Sequence, residues 1–214
     1  MALRLERSVE EAHLYMAMRP CDVCGEAEFE CRSAVIMAEG DLASRYDGPC
    51  AGCGTKREFV FRLPDTVPPP TAELRFGGPE PSELLDAGEW LWAAANFAHE
   101  PIGDLGELAA EREADLAGAA VAIDEVLKFV PDGAVGPPDA AFWTDRGRQM
   151  RAEYPDDFRR DRLEARRNQY RRVLAVNSMG GTDRGAHRPG AAGGVDGPTL
   201  DRGSAAEPSR TIGQ

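Results

Sequence analysis

Two pairs of cysteines, Cys21-Asp22-Val23-Cys24-Gly25 and Cys50-Ala51-Gly52-Cys53-Gly54, limit what this chain can become more than any other stretch. In each pair two residues separate the thiols, and a glycine follows the second thiol. Glycine is the residue that most readily takes the positive φ of a tight turn. Four thiolates presented by two such turns make a tetrahedral shell of the structural-zinc kind, in which protein fills every position and none is left for water or substrate. The interval between Cys24 and Cys50 holds 25 residues, longer than the usual spacing of paired CxxC motifs and enough for two or three short strands. Thiolates also accept iron, and spacing alone leaves both metals open. A redox reading would need one CxxC beside a helix in a thioredoxin-like pattern, which this chain lacks.

Between the pairs the pattern is that of strands. From Glu28 to Met37 the side chains alternate, with Phe29, Cys31, Ser33, Val35 and Met37 on one face. Gly40-Asp41 predicts a turn, Leu42 to Tyr46 a returning strand, and Arg57, Phe59, Phe61 and Leu63 share one face of a third. With its two CxxCG knuckles, the stretch from about 19 to 63 resembles a zinc ribbon of the rubredoxin-like kind. The resemblance implies a small antiparallel module with one structural Zn2+ per chain, held by Cys21, Cys24, Cys50 and Cys53. The family is functionally broad, so it implies no activity. Cys31 is expected to be a small buried hydrophobe beside Phe29 and Val35. His13, His99 and His187 lie at no ligand spacing.

Charge narrows the partners. The chain carries a formal net charge of −12, of which residues 63–140 hold −13 while 141–176 hold +4. So acidic a middle repels a phosphate backbone and confines any nucleic-acid contact to the ribbon, through Arg32, Arg45, Lys56, Arg57 and Arg62, or to the basic stretch near the end. No apolar run reaches the length of a spanning helix and the N-terminus has no secretory pattern, so a cytoplasmic protein is expected.

Along the chain, Ser8-Val9-Glu10-Glu11 has the form of a capping box and opens a helix to about Met18. Prolines between Pro64 and Pro81 predict a semi-rigid linker. Pro81-Ser82 predicts a helix to about Ala98 that carries Trp90, Trp92 and Phe97, large rings from which an exposed partner anchor is expected. His99-Glu100 does not continue as HExxH. Asp104 and Glu107 suit the start of the next helix, whose stripe runs Leu105, Leu108, Ala109, Leu116, Ala119, Ala120, Ile123, Leu127, Val130. A fourth helix is expected from Phe142 to Tyr154, and a fifth from Pro155-Asp156-Asp157 to about Ala175. On the fifth, Leu163, Tyr170, Val173 and Leu174 form an apolar stripe edged by arginine, suited to docking on the acidic middle rather than on nucleic acid. From Asn177 onward, Gly and Pro without periodicity predict disorder.

The expectation is therefore an α+β protein: N-terminal helix and ribbon in 1–63, linker in 64–80, helical domain in 81–176 and a tail in 177–214. No phosphate loop, dinucleotide fingerprint or nucleophile elbow occurs. The reading is a non-catalytic accessory or protein-interaction factor with structural zinc. A nucleic-acid-binding or regulatory ribbon is the alternative, and an enzyme or a thiol sensor using Cys31 is less favoured.

Overall fold

The computed structural model describes residues 3–66, 74–98 and 113–180, with Glu113 and 177–180 as backbone only. It is an α+β arrangement of five helices and one three-stranded antiparallel sheet among the described residues. The expected caps at Asp104 and Glu107, the residues Leu105, Leu108 and Ala109, and His99 and His187 lie outside the described residues. So do 67–73 and 181–214.

Helix α1 spans Val9–Ala17, and the Ser8 hydroxyl accepts the Glu11 N–H at 3.1 Å as its N-cap. Glu11 does not reach back to Ser8. Its carboxylate accepts the Arg7 N–H at 3.0 Å and the Arg7 guanidinium instead. Strands β1 (Arg32–Ala38), β2 (Asp41–Pro49) and β3 (Lys56–Arg62) follow in the order β1-β2-β3. The hairpin turn is Glu39-Gly40, both with positive φ (52° and 98°), as a two-residue turn of primed type requires. Arg4, Leu5 and Glu6 run beside the end of β3, where the Arg62 N–H donates to Arg4 and the Glu6 N–H to Arg62.

One face of the sheet carries Tyr46, Phe59 and Phe61, and α1 lies on it. Tyr15 packs edge-on against Phe61 at 5.4 Å between centroids, and His13 against Tyr46 at 5.7 Å. The same face continues onto β1 through Ser33, Val35 and Met37, but nothing among the described residues covers it there. The expected burial of Cys31 on that face is thereby corrected. Cys31 is exposed because β1 is the sheet's edge and α1 reaches only β2 and β3.

Helices α2 (Ala87–Ala98), α3 (Glu113–Lys128), α4 (Asp145–Glu153) and α5 (Arg160–Gly180) follow among the described residues. Helix α2 begins at Ala87 and not at Ser82. The Ser82 hydroxyl holds a separate turn by accepting the N–H groups of Leu84 and Leu85, and Asp86 and Glu89 then cap α2 reciprocally. Likewise α4 starts after Phe142 and Trp143, because Thr144 caps it by accepting the Gly147 N–H at 2.9 Å. Helix α5 runs past Ala175 to Gly180, beyond the boundary expected at 177.

The core gathers Leu84, Leu85, Trp90, Leu91, Ile123 and Phe158, and buried Met16, Tyr46 and Phe61 join the same apolar cluster. Phe76, on the stretch before α2, is buried at 4.9 Å from Trp90. The arginine-edged stripe of α5 docks on acidic α3: Leu163 and Tyr170 are buried, and Arg167 and Arg171 reach Asp124 at 3.1 and 2.5 Å. Among the described residues no helix is long and apolar enough to cross a membrane.

Candidate metal centre

The two knuckles are built alike. In the first, the Cys21 N–H donates to Glu26 and the Gly25 N–H to Cys21, both at 2.8 Å. In the second, the Cys50 N–H donates to Thr55 and the Gly54 N–H to Cys50, both at 2.9 Å. Gly25 and Gly54 have φ of 77° and 72°, and a Cβ at either would meet no neighbour. The left-handed backbone and not lack of room is what calls for glycine there. The knuckles are held face to face by β-type hydrogen bonds from Glu30 to Pro49 and from Ala51 to Glu28, beside the Phe29–Cys50 bridge.

This brings Cys21, Cys24, Cys50 and Cys53 together, with all four Sγ atoms within 4.8 Å of one another. The Cys21–Cys53 and Cys24–Cys50 sulfurs are 3.7 and 3.5 Å apart. A tetrahedron of sulfurs around an ion at about 2.3 Å has edges of about 3.8 Å, so the spacing fits a tetrahedral thiolate site. The cluster can hold a metal ion. Cys21 and Cys50 are buried, while Cys24 and Cys53 face outward. The Thr55 hydroxyl, 3.2 Å from Cys53 Sγ, and the Thr55 N–H pull the Cys53 thiol down to about 6, helped by Cys24. The Glu26 backbone acts in the same sense on Cys24, but hydrogen bonding with Cys53 and Cys50 outweighs it and pushes Cys24 up to about 12. Four thiols packed this closely cannot all ionise unless a cation compensates them.

Four of the five basic ribbon residues are engaged within the chain. Arg57 is buried, stacks 4.5 Å from the Phe29 centroid and donates to the carbonyls of Ala27 and Arg19. Arg45 pairs with Asp47, Lys56 with Glu58 and Arg62 with Glu83. Only Arg32 of the five has no ion-pair or hydrogen-bond partner among the described residues.

The aromatic residues of α2 divide. Trp90 is 0% exposed, inside the core. Trp92 and Phe97 are partly buried, Trp92 beneath the Arg146 guanidinium at 4.3 Å and Phe97 6.2 Å from Phe76. Sequence reading missed Asp86, fully buried, whose Oδ1 caps α2 while its Oδ2 accepts from the Thr144 N–H and hydroxyl at 2.8 Å. The Asp86-x-x-Glu89 spacing was the available signal.

Fold and cluster together define an α+β protein with a four-cysteine cluster, held between two knuckles, that can hold a metal ion. Comparison of the chain with protein-family models, curated proteins and solved structures gave no match.

Proposed function

We propose that the chain is a structural zinc protein, with one Zn2+ held by Cys21, Cys24, Cys50 and Cys53, and that it works as a non-catalytic accessory or protein-interaction factor in the cytoplasm. The observation that carries the metal part is the convergence of the four Sγ atoms within 4.8 Å. Four protein ligands close the shell, so the ion supports shape and offers no open position for chemistry. So small a ribbon has little core of its own and gains most from such a staple. A protein partner is favoured over nucleic acid because four of the five basic ribbon residues are engaged within the chain. With Trp90 enclosed, any aromatic anchor on α2 falls to Trp92 and Phe97.

The test is native mass spectrometry with metal analysis on protein purified without added metal. One zinc per chain is expected. Cys→Ser at 21, 24, 50 or 53 should abolish stoichiometric binding, while Cys31→Ser should leave it intact. Paired cysteines without metal would overturn the assignment, iron would overturn its zinc part, and co-purified nucleic acid would overturn the choice of partner.

A further inference from the structure

Among the described residues, strand β1 is the open side of the sheet. All of its residues from Arg32 to Val35 are exposed, as is Met37, and Ile36 and Ala38 are half-buried. Val35 is 67% exposed, Met37 66% and Leu42, which pairs with Met37, 56%. The three lie on the face that is buried under α1 further along the sheet. At the far edge, Arg4–Glu6 lie beside the end of β3. An exposed edge strand with an apolar face is a template for another strand.

We infer that β1 pairs antiparallel with β1 of a second copy of this chain, joining two sheets into one of six strands. Charge selects this occupant and this direction. Arg32 stands at one end of β1, Glu39 lies in the turn at the other and Asp41 follows it, and none of the three has an ion-pair partner among the described residues. Antiparallel pairing sets the basic end of each strand against the acidic turn of the other, whereas parallel pairing would align Arg32 with itself. Opposed residues in an antiparallel ladder share a face, so a two-fold pair must centre on a residue. Centring on Ile36 opposes Val35 to Met37 of the second copy, Ala34 to Ala38, and Arg32 to Gly40 within the acidic turn. One residue earlier sets Met37 against Ser33, and one later sets Val35 against Glu39. The Ile36 register therefore buries the most apolar surface, in one patch from both copies. The inference rests on the sheet and not on the metal assignment.

The experiment is sedimentation velocity with light scattering on the full metal-loaded chain over a concentration series. A dimer is expected. Val35→Lys with Met37→Lys, both at solvent-facing positions, should yield a monomer with unchanged metal content and circular dichroism. Arg32→Glu should weaken the dimer about tenfold or more through the like charges it opposes, and Arg32→Glu combined with Asp41→Arg should restore it. A monomeric wild type, a dimer that survives the double lysine substitution, failure of the charge swap to rescue, an open-ended polymer, or a different protein bound in place of the second copy would each overturn the inference.

Discussion

At the scale of single residues, Glu6 is a charge carried at a cost. It is 2% exposed, and its Oε1 accepts the Tyr46 hydroxyl at 2.7 Å while its Oε2 has no partner. Burial raises its pKa, and the hydrogen bond from Tyr46 only partly opposes that. A carboxyl raised in the folded state binds more protons folded than unfolded in the window above its ordinary value. Its contribution to stability is therefore greatest below that value and falls as pH rises toward the folded pKa. Glu6→Gln keeps an oxygen for Tyr46 and removes the charge. The variant should gain on the wild type in urea midpoint as pH climbs through that window, and the gap should then level off. Midpoints that stay parallel from acid to neutral pH would contradict this reading of Glu6. Cys31 teaches the opposite lesson about burial. Its alternation with Phe29 and Val35 correctly gave the face, but periodicity does not say which strand of a sheet is covered.

At the scale of elements, α2 and α4 meet at a junction with no room for a side chain. A Cβ on Gly88 would lie 2.5 Å from Gly147 Cα, and one on Gly147 would overlap the Asp86 carboxylate. The helices thus meet backbone to backbone, with Asp86 bound to the caps of both. Asp86→Ala removes one N-cap, worth about 1 kcal/mol, and strands the Thr144 donors for about 1–3 kcal/mol more. A loss of about 2–4 kcal/mol in denaturant unfolding is expected, and Gly147→Ala should cost a comparable roughly 1–3 kcal/mol by overpacking. Losses under about 0.5 kcal/mol in both, the range of ordinary surface changes, would refute the junction's importance. Much of this level was legible in the sequence. Ser8 caps α1, glycines close both knuckles, and α5 docks by the stripe read from Leu163 and Tyr170. The starts of α2 and α4 were not, because Pro81-Ser82 and Phe142-Trp143 are acceptable first-turn residues. What displaces the true starts is a cap further on, chosen by tertiary bonds that local propensity does not see.

At the scale of the molecule, the knuckle-bearing N-terminal part and the helices share an apolar cluster and a polar seam. The apolar cluster runs from Met16 and Phe61 through Phe76 to Trp90. The polar seam is more specific. Buried Arg7 pairs with Glu11 at 2.6 Å and with Glu125 of α3 at 2.8 Å, and it donates to the Glu80 carbonyl. Arg19 reaches Glu89 of α2 at 2.8 Å. Burying these charges is expensive, so the seam adds little net stability. Removing one partner, however, leaves an uncompensated charge, at about 3–5 kcal/mol. Glu125→Ala should lie at the lower end, near 3 kcal/mol, since Glu11 still faces Arg7. The chain has separate reporters for the two parts: all three tryptophans, Trp90, Trp92 and Trp143, lie after residue 80, and all five cysteines lie before residue 54. In the metal-loaded wild type, tryptophan fluorescence and thiol release should therefore change together along a urea series. In Glu125→Ala the thiols should be released at lower urea than the tryptophans respond, because the seam that makes one part wait for the other is broken. Coincident transitions in the variant would mean that the apolar cluster alone carries the coupling.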